Sequence, residues 1–264
     1  MSNIAIATWN VNSVRARLPQ VVTWLEQKKP DVVCLQEIKC TDEDFPHQPF
    51  DDLGYNVVTH GQKTYNGVAL LSRFPIEDIQ RGIPDYEQDE QARYIEGVIA
   101  PAGMAPIRVA SLYLPNGNPA PGPKYDYKLE WMEAFHAHAL NLLEYEEVLV
   151  LAGDYNVIPE ERDVYDPPAW ESDALFLPSI RDRFRSLLNV GFTDALRACN
   201  DEAPAYTFWD YKGGAWRRNH GIRIDHLLLS PQATDTLASC IIHREVRDWE
   251  KPSDHVPVIV ELRP

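Results

Sequence analysis

Hydrophobic residues in this chain gather in short runs that end on polar ones. The clearest run, residues 148–152, is unbroken, the pattern of a strand covered on both faces, and it stops at Gly153-Asp154-Tyr155-Asn156. Extended geometry puts Asp154 and Asn156 on one face. Taken alone this is an ordinary strand exit, because Gly, Asp and Asn are common turn residues. Other runs end the same way. Residues 3–9 alternate as a strand and lead into Asn10-Val11-Asn12-Ser13, and residues 31–37 form a second buried strand ending at Glu37. Residues 55–60 and 68–72 predict a hairpin around the turn at 63–67, and residues 94–100 and 107–114 a second pair.

Helical spacing appears at Leu18, Val21, Val22 and Leu25, over residues 125–143, and over 181–190 with Phe184, Leu187 and Leu188 on one face. Late strands are expected at 222–229 and 256–262. Helices separate strand groups in both halves, which predicts an α/β layered architecture with two sheets. The Pro/Gly-rich stretch 115–123 reads as a surface loop within a single domain, 1–264, because the next helix leads directly into the 148 strand.

Composition narrows the class. The 264 residues suffice for a substantial core, and 44% hydrophobic content with seven tryptophans excludes a disordered chain. No apolar run approaches the length of a membrane span. The N-terminus, Met1-Ser2-Asn3-Ile4-Ala5, enters a strand pattern without a basic region and cleavage site, so a cytoplasmic protein is expected. Cys34, Cys40, Cys199 and Cys240 have no zinc-like spacing and read as reduced thiols. A net charge of −15 weighs against nucleic acid unless basic groups cluster locally.

The strand ends carry the candidate chemistry: Asn10, Asn12, Glu37, Tyr113, Asn116, Asp154 and Asn156, then Asp225 within Arg223-Ile224-Asp225-His226, and Ser253-Asp254-His255 before the last strand. A carboxylate in an apolar run is costly to bury unless it is paired or holds a cation. Singly, Glu37 reads as a helix cap, Asp225 as a partner of Arg223, and Asp254 as an N-cap. Together they fit a hard-cation site with oxygen ligands, such as Mg²⁺, and metal-assisted hydrolysis of a phosphoryl group with a carboxylate activating water. No Ser stands in a G-x-S-x-G elbow.

The motifs Trp9-Asn10-Val11-Asn12, Leu35-Gln36-Glu37, Asn66-Gly67-Val68-Ala69, Gly153-Asp154-Tyr155-Asn156, Arg223-Ile224-Asp225 and Ser253-Asp254-His255 resemble, in order and across essentially the whole chain, the exonuclease III family of AP endonucleases. The resemblance implies a four-layer αββα sandwich of two packed mixed sheets, DNase I-like, and a Mg²⁺-dependent phosphodiesterase of base excision repair, with Mn²⁺ as a substitute. It implies Glu37 as the main metal ligand with Asn10 and Asp254 nearby. Asp154 would activate water, Asn156 and Tyr113 contact the phosphate, and His255 contact it under orientation by Asp225. Ser13 stands where the family commonly has Gly.

The stretch 206–211 followed by Gly221-Ile222-Arg223-Ile224-Asp225 is similar to the DNA-repair branch, where Phe208, Ile222 and Ile224 would wall a pocket for a base-free sugar. Trp209, Arg223, Asn12 and Asn116 are the further expected substrate contacts. The partner implied is double-stranded DNA with abasic sites or 3′ ends, met by a monomer. Arg15, Arg17, Lys63, Lys124, Lys128, Arg181, Arg183, Arg185, Arg217 and Arg218 are the local basic groups expected to meet phosphates. The alternative is a metal-dependent phosphoesterase of the same superfamily acting on a small-molecule or lipid phosphate, which the acidic charge favours. A non-catalytic binding module is disfavoured by the complete acid–histidine set.

Overall fold

In the computed structural model, which describes residues 3–264, the strands are β1 (Ile4–Asn10), β2 (Val32–Gln36), β3 (Asn56–His60), β4 (Val68–Ser72), β5 (Glu77–Arg81), β6 (Tyr94–Ile99), β7 (Ile107–Tyr113), β8 (Val148–Asp154), β9 (Thr193–Asp194), β10 (Asp225–Leu229), β11 (Leu237–Ile242) and β12 (Val258–Leu262). They form two six-stranded sheets, ordered β11-β12-β1-β2-β4-β3 and β5-β6-β7-β8-β10-β9. Both sheets are mixed: β1 runs parallel to β2 and β7 to β8, while their other neighbours are antiparallel. Met1 and Ser2, which precede the N-terminal strand pattern, lie outside the described residues.

Period-two alternation explains why the strand cores read as continuous apolar runs. In β1 and β2, Ile4, Ile6, Val32 and Cys34 face the second sheet, meeting Val109, Val150, Ala152 and Leu227. Their neighbours Ala7, Trp9, Val33 and Leu35 point outward against Trp24 and Leu25 of the Leu18–Lys28 helix. On the far side, Leu151 and Leu228 of the second sheet pack against Trp131 and Phe135 of the Pro123–Leu143 helix and Phe184 of the Pro178–Asn189 helix. Helix, sheet, sheet and helix make four layers. Proline opens both of these last helices, where its missing N–H has no intrahelical partner to lose.

The predicted hairpin is β3–β4 and the second predicted pair β6–β7. Three edge strands escape the periodicity reading. β5 is mostly exposed and polar, β9 spans two residues, and β11 exposes Ile241 at the sheet margin. The 222–229 run is also divided. Ile222 pairs with Val164 and Phe208 in isolated bridges, and β10 begins only at Asp225.

Gly153 lies within central β8, and a Cβ there would sit 2.0 Å from the Leu112 carbonyl oxygen. Gly153→Ala is therefore expected to spread β7 from β8 and lower stability by about 3 kcal/mol in urea unfolding. A loss under about 0.5 kcal/mol, the size of an ordinary surface change, would show that the two strands are not held this closely.

Candidate active site

Strand register does the first part of the positioning. Tyr113 of β7 pairs with Asp154 of β8, and Asp154 with Asp225 of β10, so the three stand in one row at the end of the second sheet. In the first sheet Asn10 pairs with Gln36, and Glu37 follows at once. Asn12, Glu37 and Asn156 have φ of 45°, 50° and 47°, a left-handed conformation that turns the chain sharply and is unusual for Glu. Beneath this end the sheets are bonded to each other. Thr8 Oγ1 donates to Gln36 Oε1, Gln36 Nε2 to Ser111 Oγ, and Ser111 Oγ to the Leu35 carbonyl, each within 3.2 Å.

Asn10 Nδ2 donates to Glu37 Oε1 at 2.8 Å and to Asp154 Oδ2 at 2.9 Å, bridging the two sheets. His255 Nδ1 lies 2.9 Å from Asp225 Oδ2, and its Nε2 lies 3.6 Å from Asp154 Oδ2. Glu37, Asp154 and His255 bring one ligand atom each within 4.8 Å of one another, the group of this kind found among the described residues. Lys39 Nζ sits 2.7 Å from Glu37 Oε2 and donates to Asn12 Oδ1, whose amide donates on to Asp254 Oδ1 at 3.1 Å. Asn156 accepts from the Asn116 amide and donates to the Leu114 carbonyl.

Charge crowding sets the protonation states. Burial opposes ionisation of Glu37, but Lys39 outweighs it and lowers the pKa. Burial raises Asp154, with Asp225 adding to the shift and His255 opposing it. Burial works against a charged His255, yet Asp225 and Asp154 prevail and hold the imidazole protonated well above its ordinary range. Burial and the carboxylates of Glu37 and Asp154 keep the Tyr113 hydroxyl neutral, a hydrogen-bond donor.

These groups open into a cavity of about 210 Å³ whose other wall is apolar: Phe208, Ile222 and Ile224, joined by Trp170 and Leu175. The Phe208 ring lies edge-on to His255, 4.9 Å between centroids.

Residues 7–255 match the Endonuclease/Exonuclease/phosphatase family. The exodeoxyribonuclease III of Haemophilus influenzae is 33% identical over 267 residues, covering 97% of this chain and 98% of that protein. The chain belongs to this family. Two solved family structures are similar throughout: the 3′ phosphatase NExo from Neisseria bound to product DNA hairpin, and an AP endonuclease from Archaeoglobus fulgidus. The first has a TM-score of 0.95 at 38% identity over 99% of this chain and 100% of that one. The second has a TM-score of 0.92 at 37% identity, over 98% and 99%. The four-layer sandwich implied by the sequence is the architecture observed in this family member.

Tyr113, Asn116, Asp154, Asn156, Phe208, Ile222, Ile224, Asp254 and His255 all line the cavity with Glu37, and Asp225 stands behind His255. Three expectations need correction. Arg223 is 1% exposed and points away from the cavity: it donates to Asp163 and Asp194, each at 2.7 Å. Trp209 is fully buried, with its indole N–H donated to Asn219 Oδ1 and the Trp216 ring packed perpendicular to its own. Lys128 is fully buried too and cannot meet a phosphate at the rim. Asn10 gives its N–H groups to both carboxylates while its Oδ1 accepts from the Asn12 main-chain N–H, so it braces the two acids. Lys39, Asn118, Trp170, Asp173, Leu175 and Asp210 are contributors that periodicity did not signal.

The Arg223 cluster carries a pH dependence. Burial opposes ionisation of Asp163 and Asp194, but Arg223 outweighs it and holds both carboxyls below their usual range. Such a carboxyl stabilises the fold above its unfolded pKa, about 4, and that contribution is lost as the pH falls through the lower folded value. Stability in urea is therefore expected to drop below about pH 4. Arg223→Met leaves Asp163 with Arg197 alone and Asp194 with only main-chain N–H donors: it should be about 3 kcal/mol less stable at pH 7 and lose less on acidification. Equal acid slopes in the two proteins would contradict the assignment.

Proposed function

We propose that this protein is a Mg²⁺-dependent DNA phosphodiesterase of base excision repair, which cleaves 5′ to abasic sites and/or removes nucleotides and blocking groups from DNA 3′ ends. The observation that carries the reading is the convergence of Glu37, Asp154 and His255 at the mouth of a cavity with one polar and one apolar wall. The wall of Phe208, Ile222 and Ile224 suits a sugar that has lost its base. The names of the family relatives, an exodeoxyribonuclease III, an AP endonuclease and a DNA-bound 3′ phosphatase, support the substrate class.

The donor set fits a hard divalent cation, being carboxylate-rich and free of thiols. Glu37 would hold it, with Asp254 close by. When bound, such an ion polarises a phosphoryl oxygen and offsets the charge that develops there. Asp154, made more basic by burial, takes the proton of the attacking water. His255, charged and pinned by Asp225, presents Nε2 to a non-bridging phosphate oxygen. The Tyr113 hydroxyl and the second N–H of Asn156 complete a ring of donors.

The net charge of −15 does not oppose this reading locally. Lys212 and Arg218 line a second basin that shares Trp170, Phe208, Asp210 and Ile222 with the cavity. The reading takes the chain as one domain, monomeric and cytoplasmic. No helix of the described residues is long and apolar enough to cross a membrane.

The test is Mg²⁺-dependent cleavage of a duplex carrying one abasic analogue, run beside a 3′-phosphate end and a soluble inositol phosphate. Cleavage of DNA alone is expected, and Asp154→Asn should slow it about 10²- to 10⁴-fold. Turnover of the inositol phosphate with no DNA product would favour the small-molecule alternative and sink the DNA reading.

A further inference from the structure

Lys128, in the second turn of the Pro123–Leu143 helix, is a fully buried lysine without a salt-bridge partner among the described residues. Its Nζ donates to three main-chain carbonyls: Asn116 at 3.1 Å, Asn156 at 2.7 Å and Ala174 at 3.0 Å. An ammonium has three protons, and all three are bonded, although burial outweighs the nearby Asp154 and Asp173 and pulls the pKa down to about 7. The acceptors belong to three separate segments: the loop after β7, the turn after β8, and the loop before the Pro178–Asn189 helix.

Each segment presents polar side chains to the cavity, and those side chains are bonded to one another. Asn116 donates to Asn156 Oδ1 at 3.1 Å, Asn118 donates to Asp173 Oδ1 at 3.0 Å, and Asn118 Oδ1 accepts from the Ala174 amide at 3.1 Å. The loop after β7 lies directly on the lysine stem. Gly117 has φ 87°, and a Cβ there would meet Lys128 Cδ at 2.6 Å.

We propose that Lys128 is a positioning residue for phosphodiester cleavage, holding Asn156, and Asn116 bonded to it, against the scissile phosphate through their main-chain carbonyls. This rests on the reading of the cavity as a DNA phosphodiesterase site. The lysine touches no substrate. It joins three loops that the strands alone leave independent, at the point where an error of an ångström is most costly to the reaction.

Lys128→Met keeps the stem and removes the donors. On the abasic duplex, kcat is expected to fall about 10²-fold while KM moves less than about 3-fold, after correction for the folded fraction from urea unfolding. The same change in an Asn156→Gly background, where glycine keeps the positive φ, should cost less than about 3-fold more. Amide exchange should quicken in residues 116–118 and 173–175 while β7 and β8 stay protected. If Lys128→Met does not fold, Gly117→Ala retains the ammonium, displaces the loop and should reproduce the kcat loss and the exchange pattern. A full multiplicative loss in the Asn156→Gly background, or unchanged kcat and exchange, would overturn the proposal. Failure of the unsubstituted protein to cleave DNA would instead defeat the substrate reading, and the exchange pattern would still decide the lysine's role.

Discussion

Glu37, Asp154 and Asp225 are brought together at the end of two stacked sheets, where water screens them little, and their mutual repulsion must be answered there. The answer is local and largely complete. Lys39 lies on Glu37, His255 lies between Asp225 and Asp154, and the Asn10 amide spans Glu37 and Asp154. Removing any one of these positive or donating groups leaves a buried carboxylate short of a partner, which is far costlier than the pair is worth. The same crowding makes the site useful. Burial together with Asp225 raises the basicity of Asp154, and the surrounding carboxylates keep His255 charged and leave oxygens that a divalent cation would complete.

The sheets make this arrangement possible because register is an all-or-none property. A one-residue slip between β7, β8 and β10 would turn Tyr113, Asp154 and Asp225 to opposite faces. The apolar layer between the sheets sets that register for most of its length. Near the site, where Thr8, Gln36 and Ser111 replace apolar residues, a hydrogen-bonded chain takes over and links the first sheet to the second. Fold and site are therefore coupled at one layer of residues.

Much of this was legible in the sequence. Central strands show because both their faces are buried, so Val150, Leu151 and their neighbours form unbroken runs ending on the chemistry. Edge strands do not show. β5 is exposed along nearly its whole length and polar in sequence, and β9 is held by its β10 neighbour rather than by propensity. The errors within the site have one cause. Arg223, Trp209 and Lys128 are residue types that often bind nucleic acid, and their position in the motif cannot tell whether they face the cavity or its support. Arg223 sits two residues before Asp225 yet turns to Asp163 and Asp194, partners about 60 and 29 positions back in the chain. Lys39 was missed for the opposite reason. It is an ordinary polar residue until the left-handed turn at Glu37 swings it back over the carboxylate.

The reading stands or falls on Glu37, with Asp254 close by, holding one divalent cation where the two sheets meet. Titration of the full-length protein with Mn²⁺, followed by the resonance of the free ion, tests this without reference to any substrate. Saturable binding is predicted, weakened about tenfold or more by Glu37→Gln in protein whose unfolding curve is unchanged. Equal Mn²⁺ affinity in the two proteins would contradict it, since the ion would then be held elsewhere or not at all.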